Sequence, residues 1–160
     1  MRMSNGVEWA LHSCVTLSQT QQPVPAARLA ELHGTPPAYT AKQLQALSRA
    51  GIVHSVAGQV GGYTLTRPAA QISALEVVRA IDGDEPAYRC AEIRQRGPLG
   101  IPAEQCARPC AISRAMTAAQ DAWSRTLAHI SVADLAAAID ADSDGTALTD
   151  VRHWLSRTHQ

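Results

Sequence analysis

Residues 38–66 read Ala-Tyr-Thr-Ala-Lys-Gln-Leu-Gln-Ala-Leu-Ser-Arg-Ala-Gly-Ile-Val-His-Ser-Val-Ala-Gly-Gln-Val-Gly-Gly-Tyr-Thr-Leu-Thr, and this stretch decides the fold. From Ala38 to Ala50 there is no breaker, and Leu44 and Leu47 lie one turn apart, which predicts a helix that stops at Gly51. With Leu44, Leu47 and Ala41 turned inward, Tyr39, Thr40, Lys42 and Gln43 are expected on the outside. Two short β-type runs follow, Ile52 to Val56 and Tyr63 to Thr66, on either side of Ala57-Gly-Gln-Val-Gly-Gly, which is the pattern of a hairpin with a glycine-rich tip. Upstream, Pro25-Ala-Ala-Arg-Leu-Ala-Glu-Leu-His forms a shorter helix with proline at its first position, and Gly34-Thr-Pro-Pro separates it from the next. Two helices joined by a tight glycine-containing turn make a helix-turn-helix, whose second helix can enter the DNA major groove. A hairpin directly after it makes a winged helix, so the expected class is mainly α with a small β-hairpin wing.

Around this centre the chain is helical. Val7, Ala10, Leu11, Cys14 and Leu17 fall on one side of a helix over residues 7–20, with Cys14 inside as a small hydrophobe. Glu8 and His12 are four apart at the edge of that face, with Trp9 beside them. They are either a solvated pair or two ligand-capable groups held one turn apart. Ser73-Ala-Leu-Glu is a capping box for a helix ending near Gly83. From about Ala111 to His129, Ile112, Met116, Ala119, Trp123, Leu127 and Ile130 recur at three- and four-residue steps, one long apolar stripe suited to a dimer contact. Ser131 caps a further short helix, Asp140-Ala-Asp-Ser-Asp-Gly is a polar linker, and residues 149–158 form a last helix. The expected division is a winged helix over 1–83, a cysteine-bearing loop over 84–110, and a dimerisation helix with C-terminal helices over 111–160.

That loop runs from Cys90 to Cys110 and holds three of the four cysteines, Cys90, Cys106 and Cys110. Gly97, Pro98, Gly100, Pro102 and Pro109 bar a long helix or strand from it. A long irregular loop in a small protein usually has a task. Thiolates on it point to a metal or cluster site, a redox switch or a disulfide.

Lys and Arg balance Asp and Glu at 14 each, so net charge gives no general argument for nucleic acid, although residues 1–83 are mildly basic and 116–160 acidic. No apolar run approaches the ~20 residues of a membrane span, and Met1-Arg-Met-Ser-Asn has no signal-peptide regions. The expected location is the cytoplasm, where clustered cysteines serve more often as ligands or sensors than as structural disulfides. No oriented base, third catalytic group or phosphate-cradling loop accompanies a nucleophile, so an enzyme is not expected.

Several segments together resemble the Rrf2 family of bacterial transcription regulators. They are Pro25-Ala-Ala-Arg-Leu-Ala-Glu, Tyr39 to Gly51 with the following Ile-Val, Gly58-Gln-Val-Gly-Gly-Tyr-Thr-Leu, Ile72-Ser-Ala-Leu-Glu-Val-Val-Arg-Ala-Ile-Asp-Gly and the cysteine loop. The likeness spans roughly residues 3 to 140. It implies a homodimeric winged helix on double-stranded DNA, with a long C-terminal helix making the dimer and an iron–sulfur cluster as the sensor. Typical members keep three cysteines close together, whereas fifteen residues separate Cys90 from Cys106 here and three separate Cys106 from Cys110. Gly6-Val-Glu-Trp-Ala-Leu-His, Glu92-Ile-Arg-Gln-Arg-Gly-Pro-Leu and the Cys106/Cys110 pair are similar to the redox-sensing branch of the family.

By position, that resemblance implies a 2Fe–2S cluster held by Cys90 and Cys110 of one subunit and Glu8 and His12 of the other, with Cys106 a weaker candidate. Trp9 and His33 would relay the signal. Arg28, Lys42, Arg49 and wing-tip amides at Gly58, Gln59 and Gly61 would hold phosphates, Tyr63 would add a hydrogen bond, and Tyr39, Thr40 and Gln43 would reach base edges. The expected function is a redox-sensing regulator, a repressor by expectation, on half-sites ~34–36 Å apart. Two alternatives keep the winged helix: a structural zinc on the same ligands, and a Cys106/Cys110 thiol switch without metal.

Overall fold

The computed structural model describes residues 3–58 and 61–157, so Gln59 lies outside the described residues. Seven α-helices and one hairpin follow in order among them. These are α1 Asn5–Leu17, α2 Ala26–His33, α3 Pro37–Arg49, β1 Val53–Val56, β2 Gly62–Leu65, α4 Ala74–Asp82, α5 Ala111–Ala128, α6 Val132–Asp142 and α7 Ala147–Ser156. Two compact units divide the chain: Glu85–Thr126 forms one, and the segments before and after it form the other. Helices α6 and α7 therefore fall with the N-terminal helices and not with the arm expected over 111–160. The reason is apolar: Val132, Ala136 and Leu148 join Ala10, Cys14, Leu17, Leu29, Leu44, Leu47, Ile52, Ile72 and Val77 in one buried cluster.

The winged helix over residues 25–65 is built as the sequence predicts. Gly34 ends α2 in the left-handed conformation, at φ 60° and ψ 33°, and the amide of Thr35 closes the turn on the Ala30 carbonyl. The hairpin pairs Val53 with Leu65, His54 with Thr64, Ser55 with Tyr63 and Val56 with Gly62. A feature not read from the sequence completes it. Val24 and Tyr63 exchange both backbone hydrogen bonds, at 3.0 and 2.9 Å, which ties the second strand of the wing to the entry of α2. Prolines at 23 and 25 confine this third strand to a single residue, since neither can donate to a ladder.

The two predicted caps are both present. In each, Ser73 or Ser131 accepts from the third amide of its helix while Glu76 or Asp134 reaches back to the serine. The caps lie side by side, with the Ala74 amide on the Ile130 carbonyl and the Val132 amide on the Ile72 carbonyl, both at 2.8 Å. Hydrogen bonds from the Ser131 hydroxyl and amide hold the Asp134 carboxyl below its ordinary 3.8. A depressed carboxylate pKa contributes stability that is present above the unfolded value and lost as pH falls through the folded one. The melting temperature is thus expected to drop as pH falls below about 4, less so in Asp134→Asn. Scanning fluorimetry across pH checks it, and equal slopes in the two proteins would contradict the assignment.

Candidate functional site

Helix α3 presents a different face from the one expected. Thr40 and Gln43 are only 3% and 6% exposed, and with Leu44 and Leu47 they form the inward i, i+3, i+4, i+7 stripe. This corrects the expectation that both face outward. The Thr40 hydroxyl is satisfied locally, 2.6 Å from the Thr35 hydroxyl and 3.3 Å from the Pro36 carbonyl. The Gln43 amide lies over Gly6 of α1, where a Cβ would meet its Nε2 at 2.9 Å. Both polar groups stay in the interior because each is partnered or packed there. The outward line of α3 is Tyr39, Lys42, Gln45 and Arg49. Gln45, on the same face at three-residue spacing, is the position that sequence reasoning missed. Lys42 Nζ stands 6.0 Å from the Tyr39 ring centroid.

Other expected DNA contacts are placed unevenly. Arg28 stacks its guanidinium 3.6 Å from the Trp154 ring of α7 and pairs with Glu31 at 2.6 Å, so it is committed within the fold. Tyr63 is half-buried against the core. Gly58 sits at φ 126°, and a Cβ on Gly61 would strike the Val56 and Gly58 carbonyls at 2.7 and 2.9 Å. These glycines serve the chain's own turn.

On α1, Glu8 and His12 are both exposed, one turn apart. Trp9, between them, meets Tyr39 edge-on with centroids 4.8 Å apart. The His12 ring lies 5.7 Å from that of His33, whose Nε2 is 3.2 Å from the Thr16 hydroxyl. Burial, then the charge of His12, holds His33 below its ordinary pKa. This stretch of α1 is therefore in contact with both helices of the helix-turn-helix.

The cysteine loop sorts its thiols. Cys90 lies beside the side chains of Tyr88 and Ser113, and the Ser113 amide donates to Cys110 Sγ at 3.3 Å. Ser113 is the buried residue of α5, and both thiols neighbour it. Cys110 directly precedes α5, so its sulfur takes the capping place that serine or aspartate usually fills. The backbone amide of Glu92 first, then the Tyr88 hydroxyl, hold the Cys90 thiol below its ordinary range, while the Tyr88 hydroxyl is pushed up chiefly by its bond to Cys90. Cys106 lies near Glu92 and Arg94, and Arg94 is near Cys110 as well. Cys14 is wholly buried on α1, and burial pushes its thiol up to about 12.

The loop is clasped by Arg94. Its Nε and one Nη donate to the two Glu92 carboxylate oxygens at 2.5 and 2.6 Å, and that Nη also reaches the Cys106 and Arg108 carbonyls at 3.4 and 3.0 Å. Glu92 holds a left-handed backbone, φ 46° and ψ 55°, a conformation that costs a non-glycine residue roughly 1–2 kcal/mol. Tyr88, Arg94 and Ser113 were not singled out from the sequence. Only the closeness of Arg94 to Glu92, and of Ser113 to Cys110, could have marked them.

Cys90 and Cys110 both neighbour Ser113, and among the described residues no three His, Cys, Asp or Glu side chains gather as a metal site. Cysteine thiols are the donors that iron–sulfur clusters and zinc take. Among the described residues, no helix is long and apolar enough to cross a membrane.

The family model described as Rrf2, iron-dependent transcriptional regulator, matches residues 3–138. The chain is 29% identical to the transcriptional repressor NsrR of Streptomyces coelicolor, over 86% of this chain and 90% of the relative. It is 35% identical to the transcriptional regulator IscR of Cronobacter sakazakii over 56% of this chain and 57% of that one. The solved structure of CymR, the global cysteine regulator of B. subtilis, has the same fold, with a TM-score of 0.67 over 86% of this chain and 97% of its own at 21% identity. The chain belongs to the Rrf2 family of transcriptional regulators.

Proposed function

We propose that this regulator is a homodimer that binds double-stranded operator DNA and senses redox state through a 2Fe–2S cluster, held by Cys90 and Cys110 of one subunit and Glu8 and His12 of the other. The observation that carries the reading is the placement of Cys90 and Cys110 about Ser113: Cys90 lies beside its side chain, and its amide donates to Cys110 Sγ at 3.3 Å. Such a group supplies one-electron chemistry, and replacing two thiolates by carboxylate and imidazole eases its reduction, in the sense known for histidine-ligated centres.

The chain's own residues do the rest. Tyr88 and Ser113 hold the Cys90 sulfur, and Cys110 is anchored at the start of α5. Ile112 and Met116, 67% and 42% exposed on α5, offer an apolar line for a second copy. Trp9 passes any displacement of α1 to Tyr39 at the start of α3, and His12 passes it to His33 on α2. On DNA, Lys42 and Arg49 would hold phosphates, while Tyr39 and Gln45 face the groove. The cytoplasm is the proposed location, since DNA is the partner.

The decisive experiment is anaerobic purification. The expected product is reddish-brown, contains iron and acid-labile sulfide, and loses visible absorption on reduction. Colourless protein with one zinc per chain would replace the cluster by a structural metal. Colourless, metal-free protein would favour the thiol switch, for which the nearness of Arg94 to both Cys106 and Cys110 speaks. A second prediction concerns the relay. Tryptophan emission should differ between oxidised and reduced wild type, and that difference should vanish in Trp9→Phe, which leaves Trp123 and Trp154 in place. Identical emission in both redox states removes Trp9 from the relay.

A further inference from the structure

Fifteen residues separate Cys90 from Cys106, far too many for spacing alone to hold the two cysteine-bearing limbs of the loop together. Little regular structure lies between them: two single-turn helices, Ile93–Gln95 and Ala103–Cys106, among glycines and prolines. Cys90 and Cys110 nevertheless both neighbour Ser113.

We infer that Arg94 is the positioning residue of the thiol pair, its fork on Glu92 and on the Cys106 and Arg108 carbonyls closing the loop that short cysteine spacing closes elsewhere. The geometry singles it out. Its guanidinium joins residue 92, two positions after Cys90, to residues 106 and 108, just before Cys110. Its backbone carbonyl accepts the Ile101 amide at 2.9 Å, so the intervening excursion is tied to the same point. The planar fork is what the site uses: two parallel bonds to one carboxylate fix orientation as well as distance, which an ammonium cannot do. Glu92 reaches the fork from a left-handed backbone, and its amide lies near the Cys90 thiol, so fork and thiol belong to one turn of the chain. Arg94 touches neither sulfur as a ligand; it acts through the backbone that carries them.

The inference rests on the proposed use of Cys90 and Cys110 as co-ligands, and its test is chosen to separate the two. Full-length, reduced, metal-free protein carrying Cys106→Ser is treated with dibromobimane, which fluoresces strongly only after bridging two nearby thiols. With Cys14 buried, Cys90 and Cys110 are the pair available. Rapid bridging is expected with Arg94 present. In Arg94→Gln and Arg94→Lys it should slow by about tenfold, the scale on which loosening a held pair lowers its effective concentration. The circular dichroism of both variants should match that of the parent, and in protein carrying a cluster a chelator should bleach both variants faster than wild type. Unchanged bridging in both variants overturns the clasp, and full rescue by lysine overturns the fork in favour of simple charge. Bridging needs no cluster, so a colourless wild type would defeat the cofactor reading while leaving this result standing.

Discussion

Cys90→Ala and Cys110→Ala are each expected to abolish the visible absorption and the bound iron, whereas Cys106→Ala retains both. Of the four thiols, Cys14 is sealed in the core and pushed up to about 12, which makes it inert as a ligand. Cys90 and Cys110 both neighbour Ser113, while Cys106 lies near Glu92 and Arg94. Because two thiolates from one chain would supply half the ligands, losing either leaves one sulfur per site, and the effect should be all or nothing. Iron and sulfide analysis of anaerobically purified variants reads it directly. Retention of the cluster in Cys110→Ala with loss in Cys106→Ala would transfer the ligand role to Cys106.

Gly62→Ala is expected to be the most damaging single methyl in the winged helix. A Cβ there would lie 2.3 Å from the Val24 carbonyl carbon, 2.5 Å from its oxygen and 2.6 Å from the Pro25 nitrogen, all backbone atoms that cannot swing aside. Overpacking of this kind costs roughly 1–3 kcal/mol. Parting Val24 from Tyr63 adds two lost hydrogen bonds at about 1 kcal/mol each. The melting temperature should fall by on the order of 10 °C, and affinity for duplex DNA should fall with it, because the wing is no longer pinned to α2. Gly51→Ala is the control. Gly51 has φ +70° but open space around its Cβ position, so only the backbone strain of about 1 kcal/mol applies. Equal losses in the two variants would show that the Val24 contact does not govern the wing.

The two glycine positions also show where sequence reading stops. Gly-Gly-Tyr near a hairpin tip was legible as a wing, but the need for Gly62 comes from Val24, 38 positions earlier, and no local pattern carries that contact. Helix α3 is similar. Leu44 and Leu47 announce a helix and one edge of its inner face, yet two leucines do not say which polar neighbours extend it. Thr40 and Gln43 turn inward because Thr35 supplies a hydroxyl and Gly6 leaves room, both features of other elements. Arg28 looked like a phosphate ligand until α7 laid Trp154 against it.

By itself, the sequence determined the helices, their capping boxes, the helix-turn-helix followed by its wing, and the presence of a thiol-bearing loop. Each of these is written in residues within a few positions of one another: apolar periodicity, a serine three before an acid, glycine after the last turn. Only the tertiary structure decided which thiols neighbour Ser113, which face of α3 looks outward, and that α6 and α7 complete the N-terminal core. Those outcomes depend on groups far apart in the chain, brought together by burial and by hydrogen bonds that no local spacing encodes.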